Sequence, residues 1–151
     1  MDAKLYLPFV ESFFEVLPDF GFKELRRGKL ALKDKLVAAA NVNVLVGLSQ
    51  DLRGNIAYSM TEETARGVAS FMIGAASEEF DEMAKSAVAE LANMLTSKAA
   101  VSFERSGLLV NVSPPTLITG ENITLLSHVR ILAVEIITDA GLIEANISLE
   151  V

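Results

Sequence analysis

The stretch Ser77 to Gly107 (SEEFDEMAKSAVAELANMLTSKAAVSFERSG) constrains this chain more than any other. It has no proline and is rich in the strong helix formers Ala, Leu, Met, Glu and Lys. It runs from an acidic start (Glu78, Glu79, Asp81, Glu82) to a basic end (Lys98, Arg105), the order the helix macrodipole favours. Gly107 then offers a C′ stop. A single helix over this span is about 45 Å long at about 1.5 Å per residue, whereas a compact chain of this size has a radius of gyration of only about 15 Å. Such a helix crosses the whole domain, and the rest of the chain must pack around it.

The two sides of that helix differ in kind. At about 100° per residue, Phe80, Ala84, Ala87, Val88, Leu91, Leu95 and Ala99 form a broad apolar side suited to a core. Ser86, Glu90, Asn93 and Ser97 fall within roughly 60° of one another on the opposite side. A purely solvated face is normally filled with Glu and Lys, while Ser and Asn in mid-helix cost a few tenths of a kcal/mol each. The alanines Ala87, Ala89 and Ala92 are read as flanking this stripe, so that a partner could approach the backbone. The residues alone leave a docking face and a plain polar face both open.

The remaining segments supply a sheet. Ala3 to Leu17 has an amphipathic helical pattern, with Leu5, Phe9, Phe13, Val16 and Leu17 on one side and Pro18 closing it. Lys29 to Lys33 reads as a short edge strand. Asn41 to Ser49 alternates strictly, with Val42, Val44, Val46 and Leu48 facing one way; Asp51 to Gly54 is a hairpin turn and Asn55 to Met60 the returning strand. Thr61 caps a second helix, Glu62 to about Ile73, ending at Gly74. Leu108 to Val112 and Leu117 to Thr119 flank Pro114-Pro115. Ile123 to Thr138 and Leu142 to Val151 are two long strands joined by Asp139-Ala140-Gly141. Tight turns between neighbouring strands imply a mostly antiparallel sheet, and the expected fold is an α+β sandwich covered by long helices, one domain over residues 1–151.

Composition narrows the chemistry. A net charge of −7 argues against nucleic acid as a partner. No cysteine is present, which excludes disulfides and thiolate zinc sites, and the lone His128 lies in a strand-like apolar run where a structural role is expected. With no Gly-rich phosphate loop either, any enzyme built on this chain must draw most of its machinery from its substrate. Hydrophobic residues make up 51% of the chain, yet no apolar run approaches the roughly 18 to 20 residues of a membrane helix. The N-terminus lacks the features of a signal peptide, so the expected location is the cytoplasm with no membrane partner. A subunit interface is the simplest sink for the apolar surplus.

The stripe carries a resemblance. Ser86-x3-Glu90-x2-Asn93, followed by Met94 and, after a gap, by Pro114-Pro115, resembles the phosphatase signature of the CheC, CheX and FliY family of bacterial chemotaxis proteins. The strand, turn and strand around Val42 to Met60 and the helix capped by Thr61 come in the order of that family, and the single motif per chain is similar to the CheX branch. The resemblance covers roughly Asn41 to Val151 well and the first helix loosely.

It implies a CheC/CheX-like sandwich that hydrolyses the aspartyl phosphate of a CheY-like response regulator. In this family the regulator supplies the phosphoaspartate, the Mg²⁺ and a lysine, and the phosphatase has no cofactor or metal of its own. Carried over, Glu90 pairs with the regulator's lysine and Asn93 holds the attacking water, with Ser86 and Ser97 at the partner-binding surface. An amide suits that task because it both accepts and donates without a tuned pKa, and phosphoryl transfer is catalysed largely by positioning. Relatives generally have glycine at Ala92 and at Ser97, so the side chains here are expected to alter the fit to a regulator. The alternative is a non-catalytic docking module of the FliM kind that binds a regulator. A homodimer is also expected, from the apolar surplus, from long C-terminal strands that would leave a sheet edge exposed, and from the dimers of CheX relatives.

Overall fold

In the computed structural model, which describes residues 2–150, the chain runs through α1 (Ala3–Val16), a 3₁₀ turn (Leu17–Phe20), β1 (Leu25–Lys33), β2 (Leu36–Ala38), β3 (Val42–Gln50), β4 (Arg53–Met60) and α2 (Glu62–Ile73). It continues with α3 (Glu82–Arg105), β5 (Val110–Val112), β6 (Thr116–Thr119), β7 (Thr124–Leu126), β8 (Ile131–Thr138) and β9 (Gly141–Glu150). Seven strands make one antiparallel sheet in the order β1-β8-β9-β4-β3-β5, with β6 also paired to β3; β2 and β7 form a separate ribbon. The fold is α+β, as the strand and helix patterns predict.

Side-chain alternation decides which face of the sheet is covered. Val42, Val44 and Val46 of β3 stand opposite Met60, Tyr58 and Ile56 of β4, and Ile56 and Tyr58 stand opposite Ile147 and Ala145 of β9. All of these are buried on the same side, together with Val134 and Ile136 of β8. The helices lie on that side. Asn43, Leu45, Asn55, Ala57, Asn146 and Ser148 point the other way, where the β2–β7 ribbon roofs a cavity of about 320 Å³.

α3 lies in the middle of the helical layer and buries Ala84, Val88, Leu91, Ala92, Leu95, Thr96, Ala99 and Phe103. Each large apolar side chain among them contributes about 1.5–3 kcal/mol as an upper bound, which anchors the helix far more strongly than its propensity does. Phe9 of α1 packs on Phe103 with ring centroids 5.5 Å apart, and Glu15 of α1 pairs with Lys98 at 3.5 Å. α1 therefore runs antiparallel to α3. At the end of α3, Leu108 N–H donates to Phe103 and Gly107 N–H to Glu104, both at 3.0 Å, a Schellman close that requires the φ of +93° adopted by Gly107.

Several expectations are corrected. α3 begins at Glu82, not Ser77, because the Asp81 carboxylate accepts from Ala84 N–H and starts the helix there. The preceding residues are drawn to α2 instead: Ser77 N–H donates to Ser70 Oγ at 2.9 Å and Arg66 to the Glu78 carbonyl at 3.0 Å. At 24 residues the helix is about 36 Å long. The expected strand Ile123–Thr138 is two strands, β7 and β8, and His128 lies exposed in the bend between them. β8 and β9 are interior strands, each paired on both sides, so they leave no edge; the free edges belong to β1 and to β5 with β6. Val151, the last residue of the expected C-terminal strand, lies outside the described residues. No helix of the described residues is long and apolar enough to cross a membrane.

Candidate functional site

Ser86, Glu90, Asn93 and Ser97 all lie on the flank of α3 turned away from the sheet. Ser86, Glu90 and Ser97 are exposed and Asn93 is half-buried. The i, i+3 spacing sets Glu90 and Asn93 one turn apart with their side chains adjacent. Among the described residues, neither the Glu90 carboxylate nor the Asn93 amide is engaged by a hydrogen bond or an ion pair. The residues one turn away from Glu90 explain this: Ser86, Ala87, Asn93 and Met94 carry no positive charge. The two lysines of the central helix are turned elsewhere, Lys85 to Glu82 at 3.7 Å and Lys98 to Glu15 at 3.5 Å. A carboxylate and an amide thus stand side by side with their hydrogen-bonding capacity open to a partner.

The opposite flank is closed. Tyr58 of β4 is buried, and its hydroxyl lies 2.8 Å from Thr96 Oγ1; Thr96 in turn donates to the Ala92 carbonyl at 2.8 Å. With the Thr96 proton so used, Tyr58 is the donor to Thr96. Burial pushes the Tyr58 phenol far above its ordinary range, the Thr96 bond opposing this only in part, so the donor persists at physiological pH. Among the described residues this is the one side-chain hydrogen bond between α3 and the sheet. It grips the helix at Thr96, one turn after the Glu90–Asn93 pair, and so fixes the rotation that aims both outward. Neither Tyr58 nor Thr96 was identified from the sequence. The available signal was a threonine adjoining the apolar arc of the helix, about 60° beyond Ala99.

Ala92 is corrected too. It is 2% exposed and faces Tyr58, Met60 and Leu95, so its methyl does not meet a partner. A residue two positions from Glu90 is rotated by about 200° and points to the other side of the helix. Ser97 does stand on the exposed flank, as expected. Pro114 and Pro115 separate β5 from β6, the strands beneath α3, and Ser113 holds this break to β3 by donating N–H to the Gly47 carbonyl at 2.9 Å and accepting Gly47 N–H at 2.7 Å. A Cβ at Gly47 would come within 3.2 Å of Ser113 Oγ, so a larger residue there would press on this contact by a few tenths of an ångström. No group of three metal-binding side chains occurs among the described residues.

A family model described as chemotaxis phosphatase CheX matches residues 42–137, a span that contains the whole of α3 and the β5–β6 break. The chain belongs to the CheX family. It is 31% identical over 137 residues to the CheY-P phosphatase CheX of Thermotoga maritima, covering 90% of this chain and 88% of that one. A CheC-like superfamily protein from Shewanella sp. PV-4 superposes with a TM-score of 0.87 at 25% identity, over 100% of both chains. The CheX of a CheX–CheY–BeF3–Mg²⁺ complex from Borrelia burgdorferi superposes with a TM-score of 0.77 at 29% identity, over 96% of this chain and 97% of that one.

Proposed function

We propose that this protein accelerates the hydrolysis of the aspartyl phosphate on a CheY-like response regulator, using Glu90 and Asn93. The observation that carries the reading is the pair itself: two polar side chains of complementary chemistry, adjacent on a rigid helix, both without a partner among the described residues. They stand on a helix flank and not in a cleft, so the walls of the reaction site must come from the other protein. The regulator brings the phosphoaspartate and the Mg²⁺ that binds beside it; the Borrelia CheX was crystallised with CheY, a beryllofluoride and Mg²⁺, which supports this division of parts.

The Glu90 carboxylate accepts a charge-assisted hydrogen bond from a regulator lysine, which sets the helix in register on the regulator's active site. The Asn93 carbonyl oxygen accepts from a water and its NH₂ donates to a phosphoryl oxygen, holding that water in line with the phosphorus. The water oxygen bonds to phosphorus as the phosphorus–carboxylate bond breaks, and the products are inorganic phosphate and the free aspartate of the regulator. Ser86 and Ser97, about 10 Å and 6 Å along the axis from Asn93, line the same contact surface.

A second copy of the chain is proposed as well. Leu126 on the ribbon is 81% exposed and its register partner Leu36 is 58% exposed, and the β1 edge bears exposed Leu30 and Leu32. Sedimentation at micromolar concentration is expected to show a dimer that Leu126→Ser weakens; a monomer throughout removes the dimer without touching the phosphatase reading.

The deciding experiment follows loss of acyl phosphate from a purified CheY-like regulator with Mg²⁺, with and without this protein. Faster loss with the protein is expected. Binding to the phosphorylated regulator with no change in decay would instead support a docking module.

A further inference from the structure

The polar pair does not fill its flank of α3. Met83 and Val101 lie on the same arc, within about 60° of Glu90 and Ser97 at about 100° per residue. Met83 is 66% exposed and Val101 is 44% exposed. Exposed apolar side chains scattered singly need no explanation, but these two bracket the pair almost symmetrically. From the midpoint of Glu90 and Asn93, Met83 is about 13 Å toward the N-terminus and Val101 about 14 Å toward the C-terminus, at about 1.5 Å per residue. A standard interface of roughly 800 Å² per partner has a radius near 16 Å if round. A patch of ordinary size centred on the pair therefore reaches both residues just inside its rim.

Resting on the phosphatase reading above, we propose that Met83 and Val101 are the apolar anchors of the regulator-docking surface and contribute to its affinity, with no part in the chemistry. The occupant is the phosphorylated receiver domain that carries the reacting aspartyl phosphate. Exposed Glu90 supplies one charge-assisted contact and half-buried Asn93 is committed to the reacting water, so neither buries apolar surface against the partner. Burial of apolar surface supplies the non-directional part of affinity, and unbranched methionine adapts to an irregular partner surface. α3 offers large exposed apolar side chains at the two ends of the stripe, with only half-buried Met94 and the small half-buried Ala87, Ala89 and Ala100 between them. A docked regulator is thereby touched at three places along about 27 Å of helix, which also fixes its tilt. The identity of the residues at 83 and 101 then becomes a means of choosing among regulators that share the same lysine and phosphoaspartate.

The test compares Met83→Ser and Val101→Ser with the unmodified protein in regulator dephosphorylation, and measures binding to the beryllofluoride-loaded regulator by calorimetry. Both positions are exposed, and matching thermal melts establish that the variants are folded. Each substitution is expected to raise KM and Kd by roughly five- to thirtyfold with kcat unchanged, the range of an interface anchor short of the strongest hot spots. If the unmodified protein accelerates dephosphorylation while both variants keep KM and Kd unchanged, the anchoring inference is overturned and the phosphatase reading stands. If no acceleration occurs at all, that reading fails, and the calorimetry still judges the anchors: an unchanged Kd in both variants, or no binding by the unmodified protein, overturns them.

Discussion

The two flanks of α3 are built from the same 24 residues and solve opposite problems. On the inner flank the polar groups are satisfied: Tyr58 donates to Thr96 and Thr96 to Ala92, within a wall of Val88, Leu91 and Leu95. On the outer flank Glu90 and Asn93 stand next to each other with no partner among the described residues, and the two lysines of the helix point elsewhere, to Glu82 and Glu15. Buried polar groups must be satisfied to avoid a penalty of about 1–3 kcal/mol each, whereas exposed ones can remain open to a partner at little cost. The inner flank is therefore the rigid mount, and the outer flank carries groups left open to a partner.

That contrast can be broken from either side. The largest effect is expected from Leu95→Ala on the inner flank, which should lower stability by about 2–5 kcal/mol in a denaturant titration, while kcat at a temperature where the variant is folded stays within about twofold. Loss of activity without loss of stability would mean that the inner flank has a direct share in the chemistry. On the outer flank, Glu90→Ala should raise KM for the phosphorylated regulator by roughly ten- to a hundredfold, as expected for losing a hydrogen bond to a charged group, and leave the melting temperature where it was. A destabilised Glu90→Ala protein with normal KM would move that carboxylate to the structural side. The smallest effect is expected from Ala92→Gly, which introduces the glycine that the family resemblance implies at this position. It should cost about 1 kcal/mol of stability through helix propensity and leave KM unchanged, because the methyl faces the sheet. A shifted KM would show that the backbone at residue 92 touches the partner.

The elements readable in the sequence are those specified locally. Thr61 and Gly74 delimit α2, with Thr61 Oγ1 accepting from Thr64 N–H at 3.1 Å, and the strict alternation in β3 sends Val42, Val44 and Val46 to the core. Glu90, Asn93 and Ser97 reach one exposed flank because helical periodicity alone requires it. What escaped the sequence depends on distant partners. The start of α3 turned on competition between Asp81 as a cap and the pull of Ser70 and Arg66 on the preceding segment. β2 and β7 are three residues each and pair across about 90 positions, so neither carries a periodic signal of its own. Tyr58 is one inward residue of a strand among several, and only the fold sets its hydroxyl against Thr96. Ala92 is a different matter: its direction follows from the helical angle, and reading it as a neighbour of the polar stripe overlooked the half-turn between positions two apart.

The central claim is that the outer pair acts by positioning a water and that Asn93 holds it. The most direct measurement is the first-order rate of acyl-phosphate loss from the regulator at saturating protein, for the unmodified chain and for Asn93→Ala, with thermal melts of both. The account predicts a fall of about a hundredfold or more in the saturated rate with the melt unchanged, since removing the positioning group forfeits an effect of that order. A saturated rate for Asn93→Ala within a few fold of the unmodified protein would contradict it.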